Sequence, residues 1–142
     1  MTPLVVDSSV AMKWFVPEVL SDRAVRLLDG TFELFAPDLL MPECGNVVWK
    51  KVTRGQLNAD EARAVLRGLG RAPLRIVGSP GLLETALEIA VAFQRSVYDS
   101  LYVALAMARE CVLITADHRL AKALAAGPLG PNIRSLGEWD QD

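Results

Sequence analysis

The stretch DSLYVALAMARECVLITAD, residues 99–117, decides the architecture. Its first part, Ser100 to Arg109, is apolar on nearly every side, which marks a helix buried deep in a fold. Its second part, Val112-Leu113-Ile114-Thr115, is a short β-branched run of the kind that forms a buried strand. The strand runs into an acid, Asp117, and a short helix to about Leu124 follows. The amino terminus repeats the same grammar. Leu4-Val5-Val6 reads as a buried strand, Asp7 ends it, and Ser8 to Phe15 reads as a helix that stops near Pro17. Helix and strand alternate through the rest, which predicts an α/β fold with a mainly parallel central sheet.

The intervening elements follow from local signals. Ser21 to Leu28 reads as a short helix closed by Gly30, and Phe32 to Ala36 as a strand. Pro42 suits the first position of a helix that runs to about Thr53 and stops at Gly55, with Cys44, Val47, Val48 and Val52 on its apolar side. Asn58 with Glu61 three residues on forms a capping-box pattern. The helix it opens buries Ala62, Val65, Leu66 and Leu69 and ends at Gly70. Leu74 to Val77 reads as a strand and Ser79-Pro80 as a helix start, with a buried stripe of Leu82, Leu83, Ala86, Leu87, Ala90 and Phe93. Asp99 is expected to cap the apolar helix that follows it, and Ile133 to Leu136 to add an edge strand.

Composition narrows the function classes. The chain has 142 residues, 51% of them hydrophobic and 23% charged, which excludes disorder and fits a single domain over residues 1–142. The two distant cysteines exclude a disulfide scaffold or a Cys-rich zinc site and fit a reducing cytoplasm. No apolar run reaches the length of a membrane span, and the first residues lack the basic start of a signal peptide, so a soluble cytoplasmic protein is expected. The formal net charge is −2, which argues against a general polyanion-binding surface. Lys50, Lys51, Arg54, Arg63, Arg67, Arg71 and Arg75 nevertheless face only Asp60 and Glu61 within residues 50–75, so this one segment carries +5 and the remainder −7. Taken alone, such a segment reads as a solvated helix face.

No glycine-rich dinucleotide or phosphate loop and no nucleophile elbow are present, and the lone His118 has no serine placed beside it. What remains is a set of acids in matching places. Asp7 and Asp117 follow strands, where open α/β sheets hold their ligands, and Glu43 and Asp99 lie at helix starts. Singly, each has an ordinary explanation as a cap or a first-turn acid stabilised by the helix dipole. Together, crowded carboxylates require protons or cations. With no His or Cys at hand, an all-oxygen site selects Mg²⁺ or Mn²⁺, ions that bind phosphates, activate water and stabilise a leaving oxygen.

These residues resemble those of the PIN-domain ribonucleases, most closely the VapC-type toxins of toxin–antitoxin pairs. The resembling stretches are Val5-Val6-Asp7-Ser8-Ser9, then Ala36-Pro37-Asp38-Leu39-Leu40 leading to Glu43-Cys44-Gly45-Asn46, then Tyr98 to Ala106, and Leu113 to Asp117. They occur in order from end to end, although Cys44 and Gly45 stand where branched apolar residues are more usual. The resemblance implies a PIN-like α/β/α sandwich. It implies that Asp7, Glu43, Asp99 and Asp117 surround one or two Mg²⁺ or Mn²⁺ ions, with Ser9, Asn46 and Thr115 supporting them. It implies hydrolysis of RNA phosphodiester bonds, a homodimer and a small cognate antitoxin. Under that reading Lys50, Arg54, Arg63 and Arg67 become candidates for positioning the RNA backbone. The helices around Ser8 to Leu28 and Asn58 to Leu69 are the expected surfaces for both protein partners.

Three competitors fare worse on the residues, and a fourth is not separated by them. A receiver-like phosphoacceptor wants a second acidic pair near the first strand and a Lys after the last, and neither is evident. A phosphatase with an Asp nucleophile wants Asp where Ser9 stands. An inactive PIN-like binding module has no use for four crowded acids, and a housekeeping PIN ribonuclease without an antitoxin differs only in its partner.

Overall fold

The structure, a computed structural model, describes residues 1–139. Five strands, β1 (Thr2–Val6), β2 (Phe32–Pro37), β3 (Leu74–Val77), β4 (Val112–Thr115) and β5 (Ile133–Ser135), form one sheet in the order β3-β2-β1-β4-β5, and every pairing is parallel. Parallel neighbours need crossovers, and the helices α1 (Ser8–Ala11), α2 (Ser21–Arg26), α3 (Leu40–Thr53), α4 (Ala59–Arg71), α5 (Leu83–Phe93), α6 (Val97–Ala108) and α7 (His118–Ala125) supply them.

Successive strand residues face opposite sides of the sheet. Val5, Phe35 and Leu113 join α3, α5 and α6 in one core cluster, whereas Leu4, Val6, Leu34 and Ile114 join Val10, Ala24 and Leu27 on the other face. Both faces are therefore apolar, which is why the strands read as unbroken hydrophobic runs. As expected, α6 is buried over its whole circumference from Ser100 to Ala106. The chain builds β1, β2 and β3 outward in one direction, then returns to lay β4 on the open side of β1. This reversal creates a crevice at the carboxyl ends of β1 and β4, the place where open α/β sheets bind ligands.

Several expectations need correction. The helix after Asp7 holds α-geometry only to Ala11 and tightens into a 3₁₀ turn at Met12–Trp14. Helix α3 begins at Leu40, so Pro42 is its third residue, still within the turn whose N–H groups have no intrahelical partner. Ser79-Pro80 starts a 3₁₀ turn, Ser79–Gly81, ahead of α5. Helix α6 is capped by Ser96, whose hydroxyl accepts the Asp99 N–H at 3.0 Å, so Asp99 lies inside the first turn and is not the cap.

The largest correction concerns α5. Leu82, Ala86 and Ile89 are buried against α6, but Leu83, Leu87 and Val91 are 46%, 56% and 73% exposed. Spaced four apart, these three form an apolar stripe on the outer side of the helix. Leu66 of α4 is likewise exposed. No helix among the described residues is long and apolar enough to cross a membrane.

Candidate active site

The crevice is built from helix starts. Asp7 caps α1 and Asp117 caps α7, each through its own side chain, while Glu43 and Asp99 occupy the first turns of α3 and α6. Four helix amino termini thus contribute their partial positive charge to four carboxylates.

Asp7 is the anchor. It is buried, and three donors hold it: the Ser9 hydroxyl at 2.5 Å and the Val10 N–H at 3.2 Å on Oδ1, and the Thr115 hydroxyl on Oδ2. The network continues outward. The Ala116 N–H donates to Ser9 Oγ at 3.0 Å, and the Asp117 N–H donates to Thr115 Oγ1 at 3.0 Å. Two hydroxyls therefore lock the end of β1 to the end of β4. Burial pushes the Asp7 carboxyl up to about 6, against the pull of these hydrogen bonds, with a smaller push from Asp117.

Glu43 is half-buried, and the Tyr102 hydroxyl donates to its Oε1 at 2.5 Å. Burial raises its carboxyl, the Tyr102 bond opposes this, and the charge of Asp99 adds to the rise. Asp99 is raised by burial and by Asp117, and lowered by the Arg95 guanidinium. Burial and the nearby Glu43 and Asp7 together hold the Tyr102 phenol protonated. Asp7 feels Asp117, Asp117 acts on Asp99, and Asp99 acts on Glu43, so the structure brings all four acids into one electrostatic group.

Ser9 and Thr115 lie in contact with that group, whereas Asn46, Lys50 and Arg54 stand one, two and three turns down α3 from Glu43 and are exposed. At about 1.5 Å per residue, Arg54 is roughly 16 Å from Glu43 along the axis. On α4, Arg63 pairs with Asp60 at 3.1 Å and Arg67 is exposed. On α3 the basic residues thus stand progressively farther along the helix from Glu43. Reasoning from sequence missed Tyr102 and Arg95. Tyr102 could have been found as the one polar side chain one turn beyond Asp99 on an otherwise apolar helix. The cap at Ser96 was legible too, since Ser96-x-x-Asp99 is a capping pattern.

As the side chains stand, no three His, Cys, Asp or Glu groups among the described residues close on a common point at metal-binding distance. Their present partners account for this. Asp7 is turned onto Ser9 and Thr115, Glu43 onto Tyr102, and Asp117 onto the N–H groups of Arg119 and Leu120. The donor set is nonetheless all oxygen, partly buried and short of countercharge, which fits a hard divalent cation.

The sequence profile of the PIN domain matches residues 4–125. Ribonuclease VapC3 of Pyrobaculum aerophilum is 36% identical over 125 residues, covering 87% of this chain and 95% of that protein. The chain belongs to the PIN-domain family, among its VapC ribonucleases. Solved structures agree on the fold. PAE2754 from Pyrobaculum aerophilum superposes with a TM-score of 0.71 at 22% identity, covering 96% of this chain and 85% of that one. VapBC2 from Rickettsia felis, bound to a DNA fragment from its promoter, gives 0.70 at 14% identity, covering 98% and 100%. PIN-domain ribonucleases as a family are generally dependent on divalent metals.

Proposed function

We propose that this chain is a Mg²⁺- or Mn²⁺-dependent endoribonuclease and the toxin of a type II toxin–antitoxin pair, working as one nuclease domain in the cytoplasm. The observation that carries the reading is the convergence of Asp7, Glu43, Asp99 and Asp117 from four separate segments onto the crevice beside β1 and β4. Its identity to a VapC ribonuclease supports the substrate class.

In this reading Asp7, Glu43, Asp99 and Asp117 hold the divalent ion. Such an ion makes water nucleophilic near neutral pH and stabilises the leaving oxygen of a phosphodiester. The chain's own groups prepare the site. Ser9 and Thr115 fix the rotamer of Asp7, and Tyr102 fixes that of Glu43. Burial raises the carboxyls of Asp7, Glu43 and Asp99, so a cation that binds them competes with protons. Asn46 extends the polar side of α3, and Lys50, Arg54, Arg63 and Arg67 offer an outlying surface to the RNA backbone.

The apolar stripe of Leu83, Leu87 and Val91 is the surface we assign to a second copy of the chain, because no element among the described residues covers it. The exposed apolar side chains of α2 and α4, Val25 and Leu66 among them, are assigned to the antitoxin. The toxin–antitoxin complex from Klebsiella pneumoniae, among the solved structures of this fold, favours such a partner.

The test is cleavage of single-stranded RNA by purified chain across a divalent titration, with Asp7→Asn in parallel. Cleavage that needs the ion and is lost in the variant supports the proposal. Equal cleavage by both proteins removes Asp7 from the reaction.

A further inference from the structure

A groove of about 580 Å³ runs between α7 and the edge strand β5, outside the acid group. Its lining includes His118, Lys122, Arg134, Ser135 and Glu138. Two of these, Lys122 and Arg134, are cationic and one, Glu138, is anionic, in a protein whose formal net charge is −2. His118 and Lys122 are four residues apart on α7 and share one face of that helix.

Arg134 is held in place. Its Nη1 donates to the carbonyls of Gly130 and Ile133 at 3.2 and 3.0 Å, which fixes the guanidinium at the groove wall. A guanidinium has five N–H donors, so three remain after these two bonds. Among the described residues neither Lys122 nor Arg134 has a salt-bridge partner. A fixed guanidinium with donors to spare, beside an ammonium, is suited to a phosphate group.

The groove also begins next to the acids. Ser135 pairs in register with Thr115, so the two are one strand spacing apart, about 4.8 Å. The Thr115 hydroxyl in turn donates to Asp7, and His118 directly follows Asp117. The end of the groove at His118 and Ser135 is therefore the end nearer the acids.

We propose that the α7–β5 groove is a phosphate-binding track for the RNA strand, in which Lys122 and Arg134 grip the backbone next to the bond being cut and His118 lines the path between them and the acids. The inference rests on the ribonuclease reading and adds to it a binding surface distinct from the basic row on α3 and α4. Glu138, the one carboxylate on the lining, donates its N–H to Ser135 and so stands at the acid end of the groove, where its charge opposes a phosphate.

The experiment measures binding of a fluorescent single-stranded RNA of about twenty nucleotides to the full chain, by anisotropy over a range of salt, beside steady-state cleavage. The variants are Lys122→Gln, Arg134→Gln and their double. Each lost phosphate contact should lower the log–log salt slope by about 0.7, so the double variant should lose about 1.4. KM should rise about tenfold in the double variant, with kcat within about twofold and the divalent-induced rise in Tm unchanged. Inorganic phosphate should compete with RNA more weakly in the variants than in the parent chain. Unchanged affinity and salt slope overturn the proposal. So does loss of antitoxin binding with RNA binding intact, which would make the groove a protein contact. If the parent chain binds RNA but never cleaves it, the catalytic reading fails while the salt slopes still decide the groove. Should Arg134→Gln not fold, Lys122→Gln and Lys122→Glu decide it, since Lys122 is exposed and has no hydrogen-bond or ion-pair partner among the described residues.

Discussion

The Thr115 hydroxyl donates to Asp7, joining residues 108 positions apart, and the same oxygen accepts the N–H of Asp117. One fully buried hydroxyl thereby ties together two of the four acids and the ends of two neighbouring strands.

Replacing Thr115 with Val keeps the shape and removes both bonds. The Asp7 carboxylate loses a donor and the Asp117 N–H loses an acceptor. The expected loss of stability is about 1–3 kcal/mol, the range for buried polar groups left unpaired. Thr115→Ser should recover most of it. Denaturant melts of the three proteins check this, and a Val variant as stable as the parent would show that the hydroxyl network carries no weight.

The acids also set a pH dependence. Asp7 titrates at about 6 in the folded chain against an ordinary value of 3.8. Between those values the folded state binds more protons than the unfolded one, so stability falls as pH rises through that window. For Asp7 alone the fall amounts to about 3 kcal/mol. Burial raises Glu43 and Asp99 too, and both add in the same sense. Urea titrations in chelator from pH 4 to 8 should show the decline, and Asp7→Asn should flatten much of it.

Divalent ions should reverse that loss. An ion that binds only the folded acids stabilises by about 2.7 kcal/mol at one hundred times its dissociation constant. We expect Mg²⁺ or Mn²⁺ to raise Tm, with most of the rise absent in a Glu43→Gln, Asp99→Asn double variant. The same rise in that variant would place the ion elsewhere.

Capping and charge separate at α6. Because Ser96 and not Asp99 caps the helix, Ser96→Ala should cost about 0.5–2 kcal/mol of stability. Asp99→Asn and Asp99→Ala should both stay folded and both lose cleavage. Melting curves beside a divalent-dependent cleavage assay distinguish the two roles. Full activity in Asp99→Asn would take Asp99 out of the reaction.

The strands were legible because β-branched runs such as Val112–Thr115 are short, apolar and cleanly bounded. Asp7 and Asp117 followed from them, since a residue just past a strand end must lie at the sheet's carboxyl edge. Helix starts were less so. Pro42, Ser79-Pro80 and Asp99 all sit inside or before a first turn, and one capping signal can serve two adjacent positions. The stripe on α5 was misread because apolar spacing predicts an apolar face without saying what covers it. The bond from Tyr102 to Glu43 spans 59 positions and depends on how α3 and α6 approach, which no local pattern encodes.

The strand order β3-β2-β1-β4-β5 has a consequence for synthesis on the ribosome. The first three strands and three of the four acids emerge while one whole side of β1, from Leu4 to Val6, still waits for β4. During that interval the growing polypeptide presents an unpaired apolar edge, the feature most prone to pairing with another chain. It also lacks Thr115 and Asp117, so its carboxylate group is incomplete. A translation product cut short before residue 112 is therefore a hazard of aggregation and not of nuclease activity.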